Sequence, residues 1–205
     1  MSTLGTSAAA PSGTNTSAFW ERLWRTSGFQ FVALSVVAYF VYANGDRTRM
    51  LIAAAISGLA VLYLMWFAAA IRVTLAEAGK DGWGAAATGA SAAVGGVFLL
   101  IVGATVAGIN DLASAAFVMS AFVRAMFVMA PTFGLWRAGF ISTSMFLLGV
   151  GVVVLTVLGG TTWFSSGVWA VDGTYSRYLI PILDLVWIVV LNGVLWGRPI
   201  ARSGW

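Results

Sequence analysis

The chain of 205 residues contains no cysteine and no histidine, and only 9% of its residues are charged. Without Cys there is no disulfide, no thiolate metal site and no cysteine nucleophile. Without His, the commonest general base and the commonest transition-metal ligand are both missing. Ordinary soluble domains carry about 25% charged residues, and a soluble chain of this length with so few could not cover its own surface with polar groups. No Walker-type loop, GxSxG elbow, HExxH helix or intramembrane carboxylate pair occurs. The last apolar segment holds no lysine, which excludes a retinal Schiff base, and no long charged region exists to house a soluble enzyme. These absences set an intramembrane enzyme aside, and the sequence implies no cofactor and no metal.

What is present is apolar. Hydrophobic residues make up 60% of the chain, and its mean hydropathy is +0.92. They fall in blocks of about 20 residues, the length that spans a hydrocarbon core of about 30 Å at 1.5 Å per residue. The fold class is therefore all-α, a polytopic transmembrane bundle with the lipid bilayer as its partner. The net charge of +4 does not point to nucleic acid, because the cations are scattered over short connectors, where they report topology.

Residues 1–18 are Ser, Thr, Ala, Gly and Pro without charge or period, and read as a disordered tail. They lack the basic and apolar regions of a signal peptide. Residues 19–27 read as a short interfacial helix, with Phe19, Trp20, Leu23 and Trp24 on one side and Glu21, Arg22 and Arg25 on the other. The transmembrane domain occupies 28–198, and 199–205 form a short tail. Its six expected spans cover about 28–44, 50–71, 84–109, 112–136, 140–158 and 178–196, with a polar connector over 72–83 and an aromatic surface loop over 163–175. Counting Lys and Arg by side gives seven (Arg22, Arg25, Arg72, Lys80, Arg137, Arg198, Arg202) against three (Arg47, Arg49, Arg177). The positive-inside rule then places both termini in the cytoplasm of a cell with an inner or plasma membrane.

The third span is rich in small residues, including Gly84, Gly89, Gly95, Gly96, Gly103 and Gly108. Ser91 with Gly95, Ala92 with Gly96, Gly103 with Ala107 and Ala104 with Gly108 are each four apart, a spacing that lets helix backbones approach closely. Gly95, Gly96, Gly103 and Gly108 are thus candidate packing positions. They pack within the chain's own bundle or, alternatively, form a face for a homo-oligomer or another membrane protein, and either way the third span is expected to be central in the bundle, not lipid-exposed all round.

Two ionisable residues lie inside spans. Arg124 is about twelve residues into the fourth and Asp184 about six into the sixth, hence about 18 Å and 9 Å from one membrane edge. A charge at such depth costs at least about 2.5–3.5 kcal/mol and normally finds a partner. The long Arg side chain can bridge the offset, so the two form a candidate polar pair. Ser120 and Asn192 could extend it into a polar track. The pair is either a lock fixing which helix sits beside which or part of a proton, ion or anion site. Arg stays protonated, so only Asp184 could carry a transferable proton. Pro131 and Pro181 each remove a helical hydrogen bond near one of the two.

The Trp66-to-Arg72 exit of the second span, Glu77, the Gly/Ala-rich third span, the run from Ala130 to Arg137 around Pro131 and the Trp-bearing last span together resemble small uncharacterised six-helix membrane proteins of GC-rich bacteria. That resemblance implies a topology and nothing chemical. The leading expectation is a non-enzymatic accessory or scaffold subunit. The alternative is a small transporter or channel using Arg124 and Asp184.

Overall fold

The computed structural model describes residues 23–43, 46–163 and 166–197. The expected tails over 1–18 and 199–205, and the first part of the interfacial helix, lie outside them. Residues 23–25 are helical and are set off from the first long helix by a turn at Thr26.

Six α-helices follow: α1 (Ser27–Ala43), α2 (Arg47–Glu77), α3 (Asp81–Val106), α4 (Asn110–Arg137), α5 (Thr143–Gly159) and α6 (Ile180–Trp196). A π-helical turn at Tyr175–Leu179 leads directly into α6, making seven helical elements from Ser27 onward among the described residues. Four helical stretches are long and apolar enough to cross a membrane: α2, α3, α4 and Tyr175–Trp196. Two shorter apolar helices, α1 and α5, have 17 residues each. Helix length and composition make the chain a multi-pass membrane protein.

Consecutive helices pack side by side from α1 to α5, and α6 returns against α1, α5, α4 and α2. Phe29 near the start of α1 meets Trp196 at the end of α6, ring centroids 5.9 Å apart. The core holds Leu64, Phe67, Ile71 and Leu75 of α2, Phe127, Val128 and Leu135 of α4, and Trp187, Ile188, Leu191 and Leu195 of α6. Large apolar side chains also point outward, including Phe40, Leu62, Leu147, Leu148 and Ile182. Polar residues such as Ser27, Thr132, Thr156 and Asn192 are buried. Apolar outside with polar inside is the arrangement lipid selects, because buried polar groups there can find partners only within the protein.

Helix ends explain where the sequence reading erred. The polar connector expected over 72–83 shrinks to three residues, because α2 runs on to Glu77. Nothing in 72–77 breaks a helix, and Leu75 is fully buried, so extension adds core contact. The stop comes at Gly79, whose φ of 70° suits a residue without Cβ. There Lys80 N–H reaches the Leu75 carbonyl at 2.7 Å. The same closure ends α3, where Gly108 has φ 77° and Ile109 N–H reaches the Ala104 carbonyl at 2.8 Å. Gly108 is therefore a helix stop, not a packing position within a span. At the starts of α2 and α5, Asp46 and Ser142 accept the N–H groups of Arg49 and Met145, as N-caps do.

The third span is not central. α3 packs on α2 and α4, and only 22% of its most apolar window is buried, against 33% for α2 and 39% for α4. One of its faces does carry close packing. A Cβ on Gly95 would lie 2.8 Å from Val61 Cγ1, and one on Gly84 would lie 2.7 Å from the Arg72 Cα. Gly96 and Gly103 occupy the other face, where a Cβ would meet nothing within 4 Å. Of the four candidate packing glycines, Gly95 alone makes close contact with another helix.

The buried residues of α5 are Gly149, Thr156 and Gly159, each small or polar in a helix whose other residues are mostly bulky. A Cβ on Gly149 would stand 2.5 Å from both Thr132 Cγ2 and Trp187 Cζ2. Gly149→Ala is expected to cost about 1–3 kcal/mol through overpacking, whereas Gly151→Ala, in open space, should cost nothing measurable. Thermal unfolding of both variants in detergent checks this, and equal melting points would refute the packing argument.

Candidate functional site

Hydrogen bonds along one stripe of α6 tie it to three other helices. Its buried residues are Ile180, Asp184, Trp187, Ile188, Leu191, Asn192 and Leu195, the 3–4 spacing of a single helix face. Three of them carry polar groups, and each meets a different partner.

Asp184 comes first. Its Oδ2 accepts from Arg124 Nη1 at 3.1 Å, and its Oδ1 accepts from Thr156 Oγ1 at 2.8 Å. The carboxylate thus joins α4, α5 and α6. Arg124 lies midway along α4, and its guanidinium also stands over the Phe117 ring, 5.3 Å from the centroid. Side-chain exposure is 16% for Arg124 and 10% for Asp184, so both charges are largely withdrawn from the surroundings. Two charges removed from water cost several kcal/mol each, and only tight mutual pairing with satisfied lone pairs recovers that. Thr156 sets a second donor beside the carboxylate, its one hydroxyl proton shared with the Val152 carbonyl, also at 2.8 Å.

Trp187, one turn further along, donates from Nε1 to Thr132 Oγ1 at 2.8 Å, and Thr132 in turn donates to the Val128 carbonyl. Fully buried Asn192, near the other end of α6, accepts from Gly28 N–H through Oδ1 at 3.0 Å. This contact needs glycine, since a Cβ at position 28 would lie 2.5 Å from that same Oδ1. Nδ2 of Asn192 and Nε of Arg124 are buried without a hydrogen-bond partner among the described residues.

The expected polar track does not form as one line. Ser120 is buried, but its hydroxyl turns back to the Phe117 carbonyl at 2.5 Å. Its short side chain satisfies itself on its own helix, the common fate of a helical Ser. Asn192 stands two turns from Asp184, and the bulky side chains of Trp187, Ile188 and Leu191 occupy the buried stripe between them. Sequence reasoning brought Arg124 and Asp184 together but missed Thr156, Thr132, Trp187 and Gly28. A signal existed for Thr156: it follows Gly149 by seven residues, and the two are small or polar positions on one face of a branched apolar helix.

The turn that precedes α6 positions Asp184. Pro181 cannot donate a helical hydrogen bond, and the π-helical residues Tyr175–Leu179 precede it, a local widening typical of strained or special helix segments. Tyr175 anchors this turn by donating to the Leu155 carbonyl at 2.7 Å and by stacking on Trp169, centroids 4.5 Å apart. The expected aromatic loop therefore folds back onto α5 at Tyr175, while Trp163 stays exposed. No group of three acidic side chains that could hold a metal ion gathers among the described residues.

No family model matches the chain, and neither a curated protein nor a solved structure matches it.

Thr156→Val keeps the shape of the side chain and removes the donor to Asp184 Oδ1. A buried acceptor left unmet costs about 1–3 kcal/mol, so the variant should unfold earlier in a detergent melt. Thr74→Val, which removes only a bond within α2, should not. Matching losses in the two would mean that the Thr156–Asp184 contact contributes nothing of its own.

Proposed function

We propose that this chain is a non-enzymatic membrane protein, an accessory or scaffold subunit whose six helices all cross an inner or plasma membrane. The 17 residues of α1 and of α5 reach the lower end of the spanning range, about 17–25 residues. Six crossings put both termini on one side. The end where α1 begins carries Arg25, Arg72, Lys80 and Arg137, the opposite end Arg47, Arg49 and Arg177, and this excess supports cytoplasmic termini.

One observation carries the scaffold reading: Asp184, Trp187 and Asn192 are each committed to a fixed partner on another helix. Side chains engaged in this way specify neighbours, which is the best-attested use of buried polar groups. A second reading, a small conduit, draws support from the residual exposure of the ion pair and from the unpartnered Arg124 Nε.

A replacement series separates the two. Arg124→Met or Asp184→Leu alone leaves a charge buried without its partner and should cost about 3–5 kcal/mol, while the combined change should be close to neutral. Yield and melting temperature in detergent provide the measurement. If the double variant recovers and proteoliposomes of the wild-type chain hold proton and chloride gradients, the lock stands. If wild-type vesicles leak and the double variant seals them without loss of stability, the conduit reading replaces it.

A further inference from the structure

Beyond the buried pair, one cation stands out for what surrounds it. Arg177 lies in the π-helical turn ahead of α6 and is exposed. Its guanidinium carbon lies over the Tyr178 ring, 5.6 Å from the centroid. Tyr39 of α1 is close enough to feel both the Tyr178 hydroxyl and the charge of Arg177. Among the described residues no carboxylate lies within 4.0 Å of Arg177, whereas Arg49 and Arg72 sit beside Asp46 and Asp81. Tyr39, Phe40, Tyr42 and Tyr178 are all well exposed.

We propose that Arg177, Tyr39 and Tyr178 form a docking site for the phosphate of an anionic phospholipid at the seam between α1 and α6. This rests on the membrane reading above. The argument is one of charge and depth. Arg177 stands at the outer limit of a spanning helix, and Tyr39 stands one turn inside the end of α1. That is the headgroup layer, where tyrosine rings prefer to lie. Guanidinium is the side chain best shaped to hold a phosphate by two parallel hydrogen bonds. The cation–π contact with Tyr178 holds the guanidinium beside the ring, where its N–H groups can meet an anion. Two phenol hydroxyls lie beside it, and with one engaged by the other they leave a free O–H donor, while the exposed ring of Phe40 adds apolar surface. A phosphate diester with a net negative charge complements this set better than a zwitterionic headgroup, whose own cation would compete with Arg177.

The absence of cysteine makes the test clean, because an Ile182→Cys variant takes a single fluorophore one turn from Tyr178, on an exposed position. The labelled full chain in neutral detergent is titrated with phosphatidylglycerol or phosphatidylcholine whose acyl chains bear bromine close to the headgroup. Half-quenching is expected at a concentration about tenfold lower for phosphatidylglycerol, the loss of one charge-assisted contact being worth about that factor. In the Arg177→Gln background the preference should vanish, and in Tyr39→Phe with Tyr178→Phe it should shrink. Arg137→Gln, at the opposite end, should leave it intact. Equal quenching by the two lipids, or a preference that survives Arg177→Gln, would overturn the inference. Relief of quenching by millimolar inorganic phosphate would assign the site to free anions and not to lipid. A labelled protein that stays monodisperse and folded throughout keeps the membrane reading standing whichever result is obtained.

Discussion

A carboxylate removed from water must be answered within the protein, and the arrangement of α4, α5 and α6 follows from how Asp184 is answered. Arg124 supplies opposite charge and Thr156 a second donor, at 3.1 Å and 2.8 Å. Hydrocarbon offers no water to complete what the side chains leave undone. Both partners therefore have to be in place together, which fixes three helices in rotation and in depth at once. Apolar contacts alone would not do this, since lipid tails are as apolar as the side chains they replace and give helices little reason to prefer one another.

The same logic spreads along α6. Trp187 reaches α4 through Thr132, and Asn192 reaches α1 through the Gly28 N–H. Small residues stand where these contacts need room: Gly149 against Trp187 and Thr132, Gly28 against Asn192. Polar group and absent side chain form one unit at each place, because a bulky neighbour would hold the donor and acceptor apart. α3 lies outside this scheme. It leans on α2 through Gly84 and Gly95 and on α4, and it has no share in the polar stripe.

Much of the helical layout was legible in the sequence because the apolar blocks are long and the breaks between them are charged or glycine-rich. The Arg124–Asp184 contact was legible because only two ionisable residues lie deep in the spans and their signs are opposite. Helix ends were less so. Arg72 looked like a stop, yet charge does not end a helix, and the left-handed glycine at position 79 does. The glycines of α3 misled for a different reason. Small residues occur on two of its faces, Ser91 with Gly95 and Ala92 with Gly96, and spacing alone does not tell which face turns inward. By residue type alone Thr156 carries no such signal, because a helical threonine commonly bonds to its own backbone; here its single hydroxyl proton lies between the Val152 carbonyl and Asp184 Oδ1, each 2.8 Å away. The Gly28–Asn192 contact joins residues 164 positions apart, and no local pattern announces such a register.

The position of α6 in the chain gives its polar stripe a meaning in time. Synthesis delivers α1, α4 and α5 first, so Gly28, Arg124, Thr132 and Thr156 are made before the groups that complete them. Until α6 arrives, Arg124 has no carboxylate and must wait near water or a headgroup. When α6 does come, its Asp184 is poorly suited to lipid alone and finds its most favourable place against the helices already there. The arrival of α6 is thus the step at which Gly28, Arg124, Thr132 and Thr156 all gain their partners, and a loose row of helices closes into a bundle.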